Sequence, residues 1–300
     1  YGNNEADKMT FRQLLSHWAG FPHEAPLGGG HDDRSFTFDE HVGSISETWL
    51  KSRVGERFSY SNLGIDLTGY VLQQRSRKPF DQFMKDEVLV PLGMKSSTFN
   101  RKEAFSNPSL AKGYIGDKQI PDIVISMIPA GGLYSNVKDM AKFVSMHLSG
   151  GKINGKRFMS RNRLQEMYRL QFPVEYQVAG YGLGMEIKPG FGVTLLAHGG
   201  SGYGYSTKQS WLPEYGLGVI VLTNAGDTGI AEEITDKAFR LMLTAKYGAV
   251  PKDKLIKLTD KPVIELDAKL LAPLEGTYRG SGSVVTFKIE NNNLHYLQGN

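Results

Sequence analysis

The chain has 300 residues, 35 basic against 31 acidic side chains for a net charge of +4, 40% hydrophobic residues and no cysteine. A chain of this length buries roughly three quarters of its unfolded surface and suggests one or two domains that need no staples. The absence of Cys excludes disulfide scaffolds, thiol nucleophiles, Cys-ligated zinc and iron–sulfur clusters, while leaving the compartment open.

Taken in chain order, Tyr1 to Lys8 lacks the apolar core of a signal peptide, so any export signal is expected to have been removed. Thr10-Phe11-Arg12-Gln13 is a capping-box pattern that starts a helix through Leu14-Leu15, ending by Gly20-Phe21-Pro22. Residues 23–36, rich in Gly, Asp, His and Pro, read as an irregular loop. A second helix is predicted with Asn62 as its N-cap and Leu63, Leu67, Tyr70 and Val71 on one apolar face. A third spans residues 81–90 and is closed by Pro91-Leu92-Gly93. After Pro129-Ala130-Gly131-Gly132, either Ser135 or Asn136 can cap a helix carrying Val137, Met140, Ala141, Val144 and Leu148.

Beyond residue 180 the period changes. Val193 to Ala197, Ser206 to Leu212 and Leu217 to Thr223 read as strands, the last two forming a hairpin through Pro213-Glu214-Tyr215-Gly216. The continuously apolar Leu217–Leu222 run predicts a strand covered on both faces, and residues 229–246 supply a covering helix. Helices first and strands later indicate an α+β class, with an antiparallel sheet flanked by helices over residues 1–248. Residues 249–272 are charged and read as a linker. Lys252 to Lys261 holds four Lys against Asp253 and Asp260, a solvated pattern, so no nucleic-acid partner is expected. Residues 273–300 read as the beginning of a small all-β domain, with strands at 274–280, 284–289 and 294–297. No apolar run reaches the ~18 residues of a membrane span.

The seven histidines show no HxxxH or HExxH spacing, and His31-Asp32-Asp33 alone offers too few constrained ligands for a metal site. No phosphate-binding glycine motif is present. Neither a metal nor a cofactor is therefore expected. The informative segments are Phe58-Ser59-Tyr60-Ser61-Asn62 at the mouth of a helix and His198-Gly199-Gly200-Ser201-Gly202 at the end of a strand. A Tyr two residues before an Asn can present a phenol and an amide to one cleft, and Gly at a strand edge lets a substrate backbone approach closely. Each has a plain alternative: Tyr60 as a half-buried aromatic, Asn62 as a cap, His198 as the end of a strand.

In order, these segments resemble the serine β-lactamase and penicillin-binding-protein-like hydrolases, which include D-alanyl-D-alanine carboxypeptidases and related esterases. Leu14-Leu15-Ser16-His17-Trp18-Ala19-Gly20 is similar to the family's LLxHxSG helix end, with Ala for Ser, and Tyr60-Ser61-Asn62 to its Tyr-x-Asn motif. Pro129 to Leu133, followed by Ser135 and Asp139, is similar to its PAGGL segment. Trp211-Leu212-Pro213 through Asn224 resembles its terminal hairpin, and His198-Gly199-Gly200 stands where it has Lys/His-Thr-Gly.

The resemblance implies acyl transfer through a serine ester to a small-molecule or peptide substrate, outside the cell or in its envelope (periplasmic or secreted). It places Tyr60 as the base, Asn62 on the substrate's amide or ester, His198 as a positive or proton-sharing edge, Gly199 and Gly200 along the substrate and the Ser201 amide as an oxyanion donor. Free Tyr titrates near ~10, so Tyr60 can act as a base only with a cation beside it. Gly199 replaces a hydroxyl that helps hold the carboxylate of penicillins, which leans the expectation toward esters or peptides.

The family's nucleophile lies in a Ser-x-x-Lys motif several tens of residues before LLxHxSG, and here only nine residues precede Thr10. Ser109/Lys112, Ser135/Lys138 and Ser149/Lys152 match the string, and Ser135 is the one at a predicted helix start. The expectation is a fragment that lacks its nucleophile, with an exposed sheet edge or apolar groove that invites self-association. The competing expectations are a non-catalytic binding module for a peptide or cell-wall fragment, and a purely structural role.

Overall fold

The computed structural model describes residues 7–29, 34–121, 124–172, 179–226, 228–252, 268–280, 283–290 and 293–298. The chain divides into two compact units, Tyr1–Lys254 and Leu255–Asn300.

In the first unit, N-caps set the helix starts. α1 (Phe11–Leu15) begins at the Thr10 capping box, where Gln13 N–H donates to Thr10 Oγ1 and Thr10 N–H to Gln13 Oε1. α2 (Phe38–Gly43) uses the same device through Thr37 and Glu40. α3 (Asn62–Ser76) corrects an expectation: its cap is Ser61, and Asn62 is its first residue. Ser61 holds the extended backbone a cap requires, and its Oγ accepts from Gly64 N–H. That frees the Asn62 side chain from capping.

Besides Leu63, the most deeply buried side chain of α3 is Asp66, while Leu67, Tyr70 and Val71 are half-buried. The helix packs on several sides, against α1, α2, α4 (Phe80–Met84) and α6 (Ile128–Gly131), so a single apolar stripe does not describe it. Contact with α6 is tight enough to require glycine: a Cβ at Gly69 would lie 2.3 Å from Pro129 Cγ. α4 continues as a π turn over Lys85–Leu89. α5 (Arg101–Phe105) and the β1–β2 hairpin (Tyr114–Ile115, Lys118–Gln119) precede α6. Asn136 caps α7 (Val137–Leu148), its Oδ1 accepting from Asp139 N–H. A second small hairpin, β3–β4 (Lys152–Ile153, Lys156–Arg157), and α8 (Arg161–Met167) follow.

β5 (Gly180–Tyr181), β6 (Glu186–Gly190), β7 (Val193–Gly202), β8 (Tyr205–Leu212) and β9 (Leu217–Thr223) form an antiparallel meander in sequence order. Side chains alternate between its faces. Leu195, Val219 and Val221 pack with Phe239 and Leu243 of α9 (Thr228–Tyr247), whereas Ile187, Leu196 and Trp211 pack with Val144 of α7. The apolar β9 run is thus covered on both faces, as expected, up to Val221, whereas Leu222 at its end is exposed. β7 runs five residues beyond the predicted Ala197, because β8 continues to pair with it as far as Gly202↔Tyr205.

Among the described residues β9 pairs only with β8 and is an edge strand. An open apolar groove of about 600 Å³ lies beside α1 and α3, lined by Met9, Leu14, Phe21, Ile45, Leu50 and Leu67. In the second unit, α10 (Ala268–Leu271) occupies part of the predicted linker, and the rest of that linker at 253–267 lies outside the described residues. β10 (Gly276–Gly280), β11 (Ser283–Glu290) and β12 (Asn293–Gln298) make an antiparallel three-stranded sheet.

Candidate active site

The turn that leaves α1 begins the cleft. Ser16 closes the helix and His17 follows at φ +63°, a left-handed conformation uncommon for a residue with a Cβ. Gly20, also left-handed, stands against Ser52, whose carbonyl oxygen would be 2.4 Å from a Cβ there. The segment 59–62 is stitched to this turn. Ser59 N–H donates to His17 O, Ser61 Oγ to Pro22 O, and Asn62 N–H to His23 O.

His17 is almost fully buried, and its Nδ1 accepts from Ser61 N–H at 3.1 Å, so the neutral ring carries its proton on Nε2. Its ring centroid lies 4.2 Å from that of Tyr60 and 4.5 Å from that of Tyr181. Burial, with smaller contributions from His198 and His23, lowers its pKa to about 4. It is a neutral wall that fixes the Tyr60 ring.

Tyr60 retains 37% of its surface, so its phenol is reachable. Burial and then the charges of Glu186 and Glu24 push its pKa above the ordinary phenol value, with the Tyr181 hydroxyl opposing them. The charges that bear on Tyr60 are thus carboxylates, and the cation a phenolate base requires is not among them. Asn62 Nδ2 donates to Glu24 Oε1 at 2.8 Å and to Met127 Sδ, a weak acceptor, at 3.9 Å.

On the sheet side, β6 pairs with β7 only as far as Glu186↔Ala197. From His198 to Gly202 the edge of β7 away from β8 has no strand partner among the described residues, so its backbone groups are open to an extended ligand. His198 is half-buried. Its Nδ1–H donates to Gly199 O at 2.7 Å, which leaves Nε2 as an acceptor, and burial lowers its pKa. The lowered pKa favours the neutral ring, with Nε2 as its acceptor nitrogen. Gly199 pairs with Lys208, a nearly buried cation 3.3 Å from Glu186 and 3.2 Å from Glu232. Gly200 and Ser201 continue the open edge, both exposed.

The three Ser-x-x-Lys strings belong to the scaffold. Ser135 Oγ bonds Ser97 Oγ, which donates to the Asp139 carboxylate, and Lys138 is exposed. Ser149 Oγ donates to Met146 O and Lys152 O, and Ser109 lies in a turn held by Asn107. Ser135 therefore stabilises the start of α7 and does not join Tyr60. His31-Asp32-Asp33 lies outside the described residues.

The structure brings Tyr60 and Asn62 together through one backbone segment, with Tyr181 linking Tyr60 to His198 by ring distances of 6.2 Å on each side. Two further side chains border the cleft that the motifs did not contain, Tyr181 and Glu24, and His17 borders it too, from the LLxHxSG-like string, which gave it no role. Glu24 stands in an irregular loop with no periodicity to mark it. Tyr181 follows a segment without strand signal.

A helical layer that presents a Tyr-x-Asn turn to the open edge of a strand in an antiparallel, helix-flanked sheet defines the class of penicillin-binding-protein-like hydrolases. The chain belongs to the Beta-lactamase family, whose family model matches residues 1–240. It is 26% identical over 238 residues to Beta-lactamase-like protein 4 of Dictyostelium discoideum, covering 73% of this chain and 42% of that protein. It is 25% identical to the D-alanyl-D-alanine-carboxypeptidase/endopeptidase AmpH of Escherichia coli K12, covering 71% and 58%. The chain thus spans about half the length of these relatives. Among solved structures, the octameric penicillin-binding protein homologue from Pyrococcus abyssi matches with a TM-score of 0.66 and 26% identity, over 95% of this chain and 65% of that one. The D-amino acid amidase from Ochrobactrum anthropi shares the fold, with a TM-score of 0.64 and 22% identity over 81% and 73%.

Proposed function

We propose that this chain carries the base and substrate wall of a serine hydrolase that acts on an ester, amide or peptide through an acyl-enzyme, and that its nucleophile and the accompanying lysine lie outside these residues. The observation that carries the reading is Tyr60. Its exposed phenol is held by His17 beside Asn62 and the open β7 edge, in a field of carboxylates. A lysine ammonium beside that phenol would supply the missing positive charge. Tyr60 would then take the serine proton as the serine oxygen bonds the acyl carbon, and return it to the leaving group as the carbon–leaving-group bond breaks.

Asn62 would turn one Nδ2 hydrogen from the weak acceptor Met127 Sδ to the substrate's amide or ester, His198 would share a proton at Nε2, and the Ser201 amide would be one oxyanion donor. Gly199 and Gly200 would leave room for the substrate backbone. The carboxypeptidase/endopeptidase name of the E. coli relative supports a peptide substrate, and a periplasmic or secreted location belongs to the same proposal on the family resemblance. The octameric Pyrococcus homologue and the β9 edge support self-association. That the serines of the three Ser-x-x-Lys strings are held within the scaffold favours one other reading, a binding module for a peptide or cell-wall fragment.

The test is labelling with a fluorescent phosphonate and a fluorescent penicillin, on this chain and on one extended upstream through a Ser-x-x-Lys, with the adduct mapped. Labelling of the extended chain alone, suppressed by Tyr60→Phe, is the expected result. An adduct at Ser135 would overturn the nucleophile assignment, and no label on either folded chain would leave the binding module.

A further inference from the structure

Two buried polar groups beside Tyr60 have no hydrogen-bond partner among the described residues, the Tyr181 hydroxyl and His17 Nε2. Tyr181 is 4% exposed, and its hydroxyl oxygen is inaccessible. The backbone around it is pinned: Gln171 N–H donates to Tyr181 O at 2.9 Å, Gly182 N–H donates to Met185 O at 2.8 Å, and a Cβ at Gly182 would collide with Met167 O. Four rings fix its side chain, with centroids 4.5 Å away for His17, 5.9 Å for Phe58 and 6.2 Å for both Tyr60 and His198. The Tyr60 ring stands at 75° to it.

A buried hydroxyl without an acceptor costs stability, and in a packed site it points to a task. Burial, and then the charges of Tyr60 and Glu186, hold the Tyr181 pKa far above the ordinary phenol value, so this hydroxyl stays protonated. An inaccessible oxygen does not touch a substrate. It faces the Tyr60 phenol instead. The other titratable groups around that phenol are His17 and His23, at ring distances of 4.2 and 5.5 Å, with Glu186 and Glu24. Burial and the two carboxylates raise the Tyr60 pKa, and the Tyr181 hydroxyl, as a donor, lowers it. No formed bond joins the two oxygens in the resting cleft. A phenolate is a far stronger acceptor than a phenol, and hydrogen bonds to a charged oxygen are shorter and about twice as strong. Such a contact is slack at rest and tightens when the charge forms.

Resting on the hydrolase reading above, we infer that Tyr181 is the positioning residue of the base: its hydroxyl stands without an acceptor while Tyr60 is protonated and donates to the Tyr60 oxygen once that oxygen has lost its proton. Tyr181 keeps its own proton throughout and acts on the substrate only through Tyr60.

A titration of position 60 in the full chain tests this without a nucleophile. Position 60 carries 3,5-difluorotyrosine, a phenol that ionises at lower pH than tyrosine, and its fluorine resonance is followed from pH 5 to 10 in the otherwise wild-type protein, in Tyr181→Phe and in Tyr203→Phe. Phenylalanine at 181 keeps the ring and removes only the oxygen. Tyr203, at the tip of the β7–β8 hairpin and also within the field of Glu24, controls for the loss of a cleft hydroxyl. The expected result is that Tyr181→Phe raises the pKa of residue 60 by about one unit, roughly tenfold in its ionisation constant, and that Tyr203→Phe moves it by no more than about a few tenths. A pKa that Tyr181→Phe leaves unmoved, or that Tyr203→Phe moves as far, overturns the role of Tyr181 and leaves the hydrolase reading standing. That reading fails separately, when the chain extended through a Ser-x-x-Lys takes no label. If Tyr181→Phe does not fold, the otherwise wild-type protein decides: a slowly exchanging hydroxyl proton must appear far downfield as residue 60 ionises, and its absence overturns the inference.

Discussion

Replacing Asp66 separates a buried charge from a buried hydrogen bond. Asp66 and His41 are both fully inaccessible, with His41 Nε2 3.0 Å from Asp66 Oδ2. The other nitrogen, Nδ1, lies 2.7 Å from Leu27 O, a carbonyl that only accepts, so Nδ1 carries a proton. Asp66 Oδ1 accepts from Ala130 N–H. With Nδ1 committed as donor, the contact between Nε2 and the carboxyl group needs one more proton, on either side. The pair thus holds a proton, as imidazolium and carboxylate or as imidazole and carboxylic acid. Burial pushes His41 down, but the hydrogen bond and charge of Asp66 outweigh it and raise its pKa.

Asp66→Ala strands both the imidazole and the Ala130 N–H, which should cost about 3–5 kcal/mol, the range for breaking a buried pair. Asp66→Asn should cost only about 1 kcal/mol, because Oδ1 still accepts from Ala130 while Nδ2 donates to the lone pair of a neutral His41. The pH dependence has a definite sign. In the wild type the raised His41 pKa contributes stability that is fully present below the unfolded value near ~6.5 and is lost as pH rises through the folded value. In Asp66→Asn the buried ring must be neutral, so its contribution is lost as pH falls below ~6.5. Urea melts of the three proteins from pH 5.5 to 9 should show the gap between wild type and Asp66→Asn narrowing as pH rises. An Asp66→Asn protein as unstable as Asp66→Ala, or a gap that does not change with pH, would refute the proton assignment.

Gly69→Ala should destabilise by about 1–3 kcal/mol in urea melts, since the added methyl must displace Pro129 and Phe80, which it would meet at 2.3 and 3.1 Å. A loss below 0.5 kcal/mol would mean that α3 and α6 separate freely, against the tight contact described. His147, buried beneath Trp211 with Nδ1 2.7 Å from the Tyr168 hydroxyl, has its pKa lowered by burial to about 4. Acidification from pH 6.5 to 4 should therefore remove up to about 3 kcal/mol of stability on its account, and His147→Gln should shrink that loss. An acid limb unchanged by His147→Gln would remove His147 as a cause.

What the sequence revealed and what it hid divide along a physical line. Local hydrogen-bond grammar and period were readable: the Thr10 box, the doubly covered β9 and the β8–β9 hairpin each depend on residues adjacent in the chain. Ser61 was missed as a cap because Ser and Asn are equally good caps, and the choice is made by tertiary ties from Ser61 to Pro22 and from Asn62 to Glu24. α2 opens with a capping box too short in apolar residues to show a period. β6 carries Pro189 and Gly190, which weaken a strand signal although the strand forms against β7. The same holds in the cleft. Tyr60, Asn62, His198 and His17 stand in recognisable strings, although the string gave His17 no role, whereas Tyr181 and Glu24 matter only through contacts made across the fold.

Those contacts also decide how the cleft treats a proton. Tyr60 sits against a neutral His17, near a neutral His198, with two carboxylates as the main charges acting on it. Each of these features favours the protonated phenol, so this arrangement in isolation holds Tyr60 as a donor. A single cation about 4 Å from the phenolate oxygen contributes about 4 kcal/mol in the opposite sense at an effective dielectric of about 20. The same carboxylates that oppose the phenolate attract that cation. On the proposed function, the field that keeps the phenol protonated is therefore the field that would recruit the cation to activate it.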